Sequence, residues 1–285
     1  MVKSIAERTR PYLVAPMIVL GAVVPILACS WNGAGFEAAL TLLKTGPVKP
    51  AHDFSTGVDA GWYDPIELLQ RARQRCAQEV RGYTCVFLRQ ERMAGRLTAP
   101  QAIKVLYRED PQSVYMTWIR NVGRVRRALY VKGRLVNENG EENALVEPAG
   151  VIARLFVSKL EVPIHGAEAR KSGRFTIDEF GFRVVLDRLL RDNKQLTTLG
   201  CVEWTYEGQG WIDGRPTHVL VRHLPYAGPD GKLPDARLVV HLDQEWLWPA
   251  GIYSFADEQE RVLLGSYVTT RVDLNPELTD ADFEF

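Results

Sequence analysis

Apolar and polar positions follow different periods in successive stretches of this chain. Tyr12–Ala28 is an unbroken, uncharged apolar run of 17 residues. From Asp64 the spacing becomes helical: Ile66, Leu69, Ala72, Arg73, Cys76 and Val80 recur near 3.6 residues per turn. Asp64 is a good N-cap, Pro65 suits the first helical position and Glu67 fits a capping box, so the spacing predicts a helix over Pro65–Val80. Gly82 ends it and the period drops towards two. Tyr83–Met93, Gln101–Glu109, Ser113–Ile119, Ala128–Lys132 and Ala144–Glu147 read as strands, punctuated by turn residues at Gly95, Asp110-Pro111, Gly123, Gly133 and Asn139-Gly140. Helical spacing returns at Phe182, Val185, Leu186, Leu189 and Leu190, which predicts a second helix over Glu179–Lys194 capped by Asp178. Strand patterns resume at Val202–Glu207, Gly210–Ile212, Thr217–Leu224, Arg237–Leu242, Ile252–Ala256 and Arg261–Asp273, with Asp282-Phe283 as a final edge.

The order is helix, meander, helix, meander, an α+β class with antiparallel pairing. About eleven strands are too many for a flat twisted sheet. A long antiparallel sheet curled into a half-open β-barrel and lidded by the two amphipathic helices is therefore expected. That geometry encloses an apolar groove on the concave face. Val105, Tyr107, Val114, Met116 and Trp118 share the inward-facing periodicity and are the candidates for its wall, though alternation alone does not separate cavity lining from packed core.

The apolar run adds an address. Lys3, Arg8 and Arg10 precede it, with Glu7 the one acidic residue before it, and Cys29 follows it directly. A basic start, an apolar stretch and a small residue at its end make an export signal or membrane anchor over residues 1–28. Three readings stay open: a lipoprotein signal with Ile26-Leu27-Ala28-Cys29 as lipobox and Cys29 as the lipid-attachment site, an uncleaved anchor, or a signal cleaved near Ala34. Each places the protein outside the cytoplasm, on the periplasmic side, and the first two also hold it beside a membrane. Residues 29–62, with a short helical pattern at Phe36–Leu43 and a Gly46–Pro50 breaker, read as a linker to a single domain over 63–285.

Composition narrows the partners. Lys+Arg and Asp+Glu are equal at 35 each, and the leader removes three basic residues and one acidic one, leaving 32 against 34. No overall basic field exists to hold nucleic acid. The densest basic cluster is Arg120, Arg124, Arg126, Arg127, Lys132 and Arg134. It reads either as a solvated hairpin edge or, through Arg124, Arg126 and Arg127, as a contact for anionic lipid head groups.

Catalytic chemistry finds little support. There is no GxSxG motif and no CxxC pair, and no Cys/His spacing fits a zinc site, so neither a metal nor a cofactor is expected and the protein is read as a non-enzyme. His218 and His223 point to opposite faces of one strand, and His241 with Asp243 lacks a third ligand. Cys76, Cys85 and Cys201 leave disulfide pairing open. Gln90-Glu91-Arg92 reads as cross-strand ion pairing at a rim, with a cavity-lining role as the alternative.

Several segments together resemble a known family. Tyr83-Thr84-Cys85 with Gln90-Glu91-Arg92, Ser113–Trp118, Leu129–Gly133, Phe175–Phe182, and Tyr267 through Asp273-Leu274-Asn275-Pro276 to Asp282-Phe283 resemble the bacterial family of unknown function DUF1571, over roughly Ile66–Phe285. That family looks related to the periplasmic lipoprotein carriers of the LolA/LolB type. The resemblance implies a half-open barrel lidded by helices and a ligand class of membrane lipids or lipoprotein acyl chains. It carries over no catalytic residue. The expectation is a membrane-tethered, monomeric module binding an apolar ligand. The rival is an envelope interaction domain with a solid core.

Overall fold

The computed structural model describes residues 63–150, 159–229 and 231–285. The leader, Cys29, the Phe36–Leu43 pattern and the linker lie outside the described residues.

Helix α1 (Pro65–Glu79) starts where the capping signal puts it. Asp64 Oδ1 accepts hydrogen bonds from the backbone N–H groups of Ile66 (2.7 Å) and Glu67 (2.9 Å). Leu68, Leu69, Ala72 and Cys76 form its buried stripe. Arg73, within the predicted stripe, lies at its margin and pairs with Asp187 at 2.8 Å. Gly82 opens β1 (Gly82–Met93) because a Cβ there would sit 2.7 Å from the Tyr107 carbonyl oxygen.

The strands that follow are β2 (Arg96–Leu97), β3 (Gln101–Arg108), β4 (Ser113–Arg120), β5 (Val125–Val131), β6 (Asn143–Pro148) and β7 (Leu160–Pro163). A helical passage comes next: α2 (Ala167–Ser172), a 3-10 turn at Ile177–Glu179 and α3 (Phe182–Thr198). The second meander is β8 (Glu203–Ile212), β9 (Arg215–His223), β10 (Arg237–Asp243), β11 (Pro249–Phe255) and β12 (Leu263–Leu274).

All pairings are antiparallel, in the order β7-β6-β5-β4-β3-β1-β12-β11-β10-β9-β8, with β2 paired to β1 alone. The two long strands β1 and β12 join the meanders at the middle. The edges β7 and β8 are not paired with each other, so the sheet stays open. The helical passage connects these two edges in the chain, which carries it across the opening. Trp204 Nε1 of β8 donates to Asn193 Oδ1 of α3 at 3.0 Å and fastens the lid's far end.

Curvature follows from one hollow touching Leu160 on β7 and Ile252 on β11, the first and eighth strands of the order. In a flat sheet those strands would stand about 34 Å apart at the usual ~4.8 Å spacing. The expected half-open barrel is present, built from 12 strands.

Several local expectations need correction. The second helix begins at Phe182 after Gly181, not at Glu179, because Thr176 and Glu179 form a capping box around the 3-10 turn instead. The two stretches Val202–Glu207 and Gly210–Ile212 are one strand with a bulge between Tyr206 and Gln209. Asp282-Phe283 is not a sheet edge. It belongs to a 3-10 turn (Asp280–Phe283) that lays Phe283 and Phe285 against Leu129, Val131 and Tyr115 on the convex face. Cys76, Cys85 and Cys201 are free thiols. Burial pushes the Cys76 thiol up to about 12 and raises that of Cys85 as well, so both are inert apolar fillers.

Candidate ligand-binding hollow

The concave face divides into a filled end and an open end. At the filled end Tyr83 stacks on Phe182 with ring centroids 3.9 Å apart and on Tyr107 at 4.8 Å, and Phe182 stacks in turn on Trp248 at 5.7 Å. Gly181 makes this possible. Its φ is +137°, and a Cβ would lie 2.5 Å from the Tyr107 hydroxyl oxygen. The chain therefore passes directly over the ring before turning into α3.

Towards the other end the floor side chains shrink to Ala128 and Ala144, and a hollow of about 810 Å³ opens between sheet and lid. Met116, Trp118, Ala128, Val146 and Ile252 form its floor; Phe175, Ile177, Phe180 and Val185 form its roof. This volume suits a drug-sized ligand.

Strand register explains the fate of the five candidate wall residues. Tyr107 faces Val114, Val105 faces Met116, and Ile103 faces Trp118, so all five share the concave face. Met116 and Trp118 line the hollow. Val105, Tyr107 and Val114 are 0%, 1% and 0% exposed and belong to the filled end, Tyr107 as a member of the aromatic stack. The Tyr107 hydroxyl donates to Glu109 Oε2 at 2.8 Å, and burial raises its pKa.

The open end is polar. Arg89 donates to Gln101 Oε1 through Nε (3.2 Å) and Nη2 (2.7 Å), Trp118 Nε1 donates to the same oxygen at 3.3 Å, and the Arg89 guanidinium lies 6.0 Å from the Trp118 ring. Glu91 is 3% exposed. Its Oε1 accepts from the Tyr267 hydroxyl at 2.9 Å and from the Arg174 backbone N–H at 3.2 Å, while Oε2 lies 3.8 Å from Arg89. Burial, reinforced by the Glu91 carboxylate, holds the Tyr267 phenol well above its ordinary pKa.

Alternation thus splits the Gln90-Glu91-Arg92 segment. Gln90 Nε2 donates to the Thr98 carbonyl at 3.0 Å and Arg92 to those of Leu263 (2.9 Å) and Gly95 (3.0 Å), which are rim contacts. Glu91 lines the hollow, where a structural rim pair was expected. Arg89 and Arg188 also line the hollow and escape sequence reasoning. The available signal for Arg89 is the inward face of β1, which runs Tyr83, Cys85, Phe87, Arg89, Glu91 and turns from apolar to charged at its end.

The basic cluster disperses. Arg124 stands exposed at the mouth of the hollow and Arg126 is exposed beside it on β5. Arg127 is paired with Glu147 and donates to the Tyr115 hydroxyl at 2.9 Å, beneath Phe285 on the convex face. Among the described residues, no group of three or more His, Cys, Asp or Glu side chains is placed to hold a metal ion. His241 is hydrogen-bonded to Thr217 Oγ1 at 3.0 Å, and Asp243 binds Arg215 through a two-pronged pair. No described helix is long and apolar enough to cross a membrane.

An open antiparallel half-barrel with a lidded apolar hollow is the class of domain these features define. The chain belongs to the family described as protein of unknown function (DUF1571), whose model matches residues 80–285. No curated protein matches it. Similar solved structures include MucB (12% identity, 77% of this chain and 62% of that one, TM-score 0.47), so this chain spans less than two thirds of MucB. They also include LprF from Mycobacterium bovis (11% identity, 77% and 98% covered, TM-score 0.40). A LolA superfamily protein from Nitrosomonas europaea is similar at 9% identity, with 77% and 96% covered and a TM-score of 0.24.

Proposed function

We propose that this domain is a binding module that holds an apolar ligand of the acyl-chain class in its hollow, tethered outside the cytoplasm beside a membrane. One observation carries the reading. A hollow of about 810 Å³ is walled mainly by Met, Trp, Phe, Val, Ile and Ala side chains while the rest of the concave face is tightly filled. Apolar wall left exposed costs free energy at roughly 25 cal/mol per Å², and an acyl chain offsets that cost more completely than water. The tether rests on the apolar leader and Cys29, and the polar mouth with Arg124 fits a domain that faces lipid head groups.

The test is native mass spectrometry of the full chain isolated without denaturant, followed by titration with a fluorescent fatty-acid probe. A co-purified adduct of lipid mass, or saturable probe uptake displaced by unlabelled fatty acid, is the expected result. Adduct-free protein that also ignores the probe overturns the reading and returns the domain to the class of interaction modules.

A further inference from the structure

Among the described residues, a largely buried charge in the wall of the hollow has no hydrogen-bonding partner. Arg188 projects from α3 beneath the lid, with its side chain 16% exposed. The ring of Phe175 lies 3.8 Å from its guanidinium carbon. The nearest carboxylate oxygen, on Glu179, is 3.7 Å away, beyond hydrogen-bond reach, and among the described residues Arg188 makes no hydrogen bond. The other Glu179 oxygen, Oε2, accepts from the Thr176 backbone N–H at 2.8 Å and from its hydroxyl at 3.1 Å, which holds the carboxylate in place at that distance from Arg188. The other buried charges at this end are satisfied, Arg89 by Gln101 and Glu91 by Tyr267 and the Arg174 N–H, while Arg124 at the mouth is exposed to solvent.

Stacking on Phe175 occupies a face of the guanidinium and leaves its edge donors free. That edge is the fork that binds carboxylate or phosphate oxygens in pairs. Burial lowers the pKa of Arg188, outweighing the attraction of Glu179 and Asp192, as expected for a cation whose charge is only partly compensated. An anion in the hollow would complete it.

We propose that the hollow is selective for amphiphiles with an oxyanion head group, carboxylate or phosphate, which docks on the Arg188 fork while the tail lies over Met116, Ala128 and Val146. This inference rests on the ligand-binding reading above and adds the head-group chemistry and the residue that recognises it. Arg188 acts by direct contact with the ligand and transfers no proton.

The experiment titrates the full chain with hexadecanoate, hexadecanol and palmitoyl lysophosphatidate, which share a tail and differ in head. Charge-assisted hydrogen bonds are worth enough for the wild type to prefer an oxyanion head over the alcohol by roughly tenfold or more. Whichever of hexadecanoate and lysophosphatidate binds more tightly identifies the head group. Arg188→Gln is expected to abolish the preference by lowering oxyanion affinity to that of hexadecanol. Arg188→Lys, which keeps the charge without the fork, is expected to fall between. Equal affinity of the alcohol and both oxyanion ligands for the wild type, or a preference that survives in folded Arg188→Gln and Arg188→Lys, overturns the head-group assignment while the hollow remains a binding site. Failure of all three ligands to bind the wild type removes the ligand-binding reading itself.

Discussion

Single residues on the concave face carry distinct duties, and register alone does not assign them. Val105 and Met116 are direct cross-strand partners, yet one is sealed in core and the other faces the hollow. Truncating Val105 removes packed methyl groups and leaves a void; Val105→Ala is expected to cost about 1–3 kcal/mol in denaturant unfolding and to leave probe affinity unchanged. Met116→Ala enlarges a space that already exists, so it is expected to lower probe affinity with a smaller loss of stability. Comparable stability losses, with no change in binding for either, would show that the hollow is not the binding site. His241 gives a second prediction at this scale. Burial pushes its pKa down to about 4, against an ordinary value near 6.5. A base whose folded pKa is depressed stabilises the fold fully above the unfolded value and loses that contribution as pH falls through the window from about 6.5 to about 4. Stability is therefore expected to drop across that window by up to about 3 kcal/mol, and His241→Gln is expected to flatten this part of the profile in pH-dependent urea unfolding. A profile identical in wild type and variant would place the acid sensitivity elsewhere.

Elements were legible wherever a local signal defines them. Asp64-Pro65 announces α1, and strict alternation announces β3 and β4. The short pieces were not. β7 has four residues and α2 six, too few for a period to emerge, and both are held by their neighbours: β7 pairs with β6 and α2 follows directly from it. The hollow was legible as an expectation of curvature, but its boundary was not, because that boundary is set by Phe180 and Phe182 arriving from the lid across Gly181. Arg188 was invisible for the same reason: nothing in α3's own sequence says that the residue beneath its side chain is Phe175. The chain's end was misread although its signal was present. Thr279 and Asp282 form a capping box that starts a turn, and the turn brings Phe283 to full burial on the convex face. Phe283→Ala is expected to cost about 3–5 kcal/mol and to expose Leu129 and Val131. Thermal unfolding together with dye binding to the exposed patch measures it; an unchanged midpoint would mean that this segment contributes no packing energy.

On the scale of the whole molecule, one group of exposed apolar residues clusters beside the mouth of the hollow. Register places the β1–β2 hairpin, the start of β3, the β4–β5 hairpin, the end of β6 and the start of β7 at one end of the sheet. Leu97, Ile119, Val122 and Leu160 are exposed there, and Arg96, Arg124 and Arg126 stand exposed among them. Apolar tips within a basic collar, next to an opening of suitable size, match the interface of an anionic bilayer. The two contributions separate by salt. Basic residues near such a surface are worth about 1 kcal/mol each, so Arg124→Gln with Arg126→Gln is expected to weaken vesicle binding by roughly thirtyfold at low ionic strength. Arg127, already held by Glu147 on the convex face, is expected to add nothing to that loss. In about 1 M salt, where the screening length is about 3 Å, the charge term disappears and the apolar term persists. Ile119→Asp with Val122→Asp is therefore expected to abolish the residual high-salt binding, a change that the arginine pair leaves untouched. Sedimentation of the full chain, with and without the leader segment, on phosphatidylglycerol vesicles measures both, because a tether alone would bind regardless of the rim. Vesicle binding of the leaderless chain that is indifferent to all four substitutions would mean that the mouth of the hollow does not face the membrane.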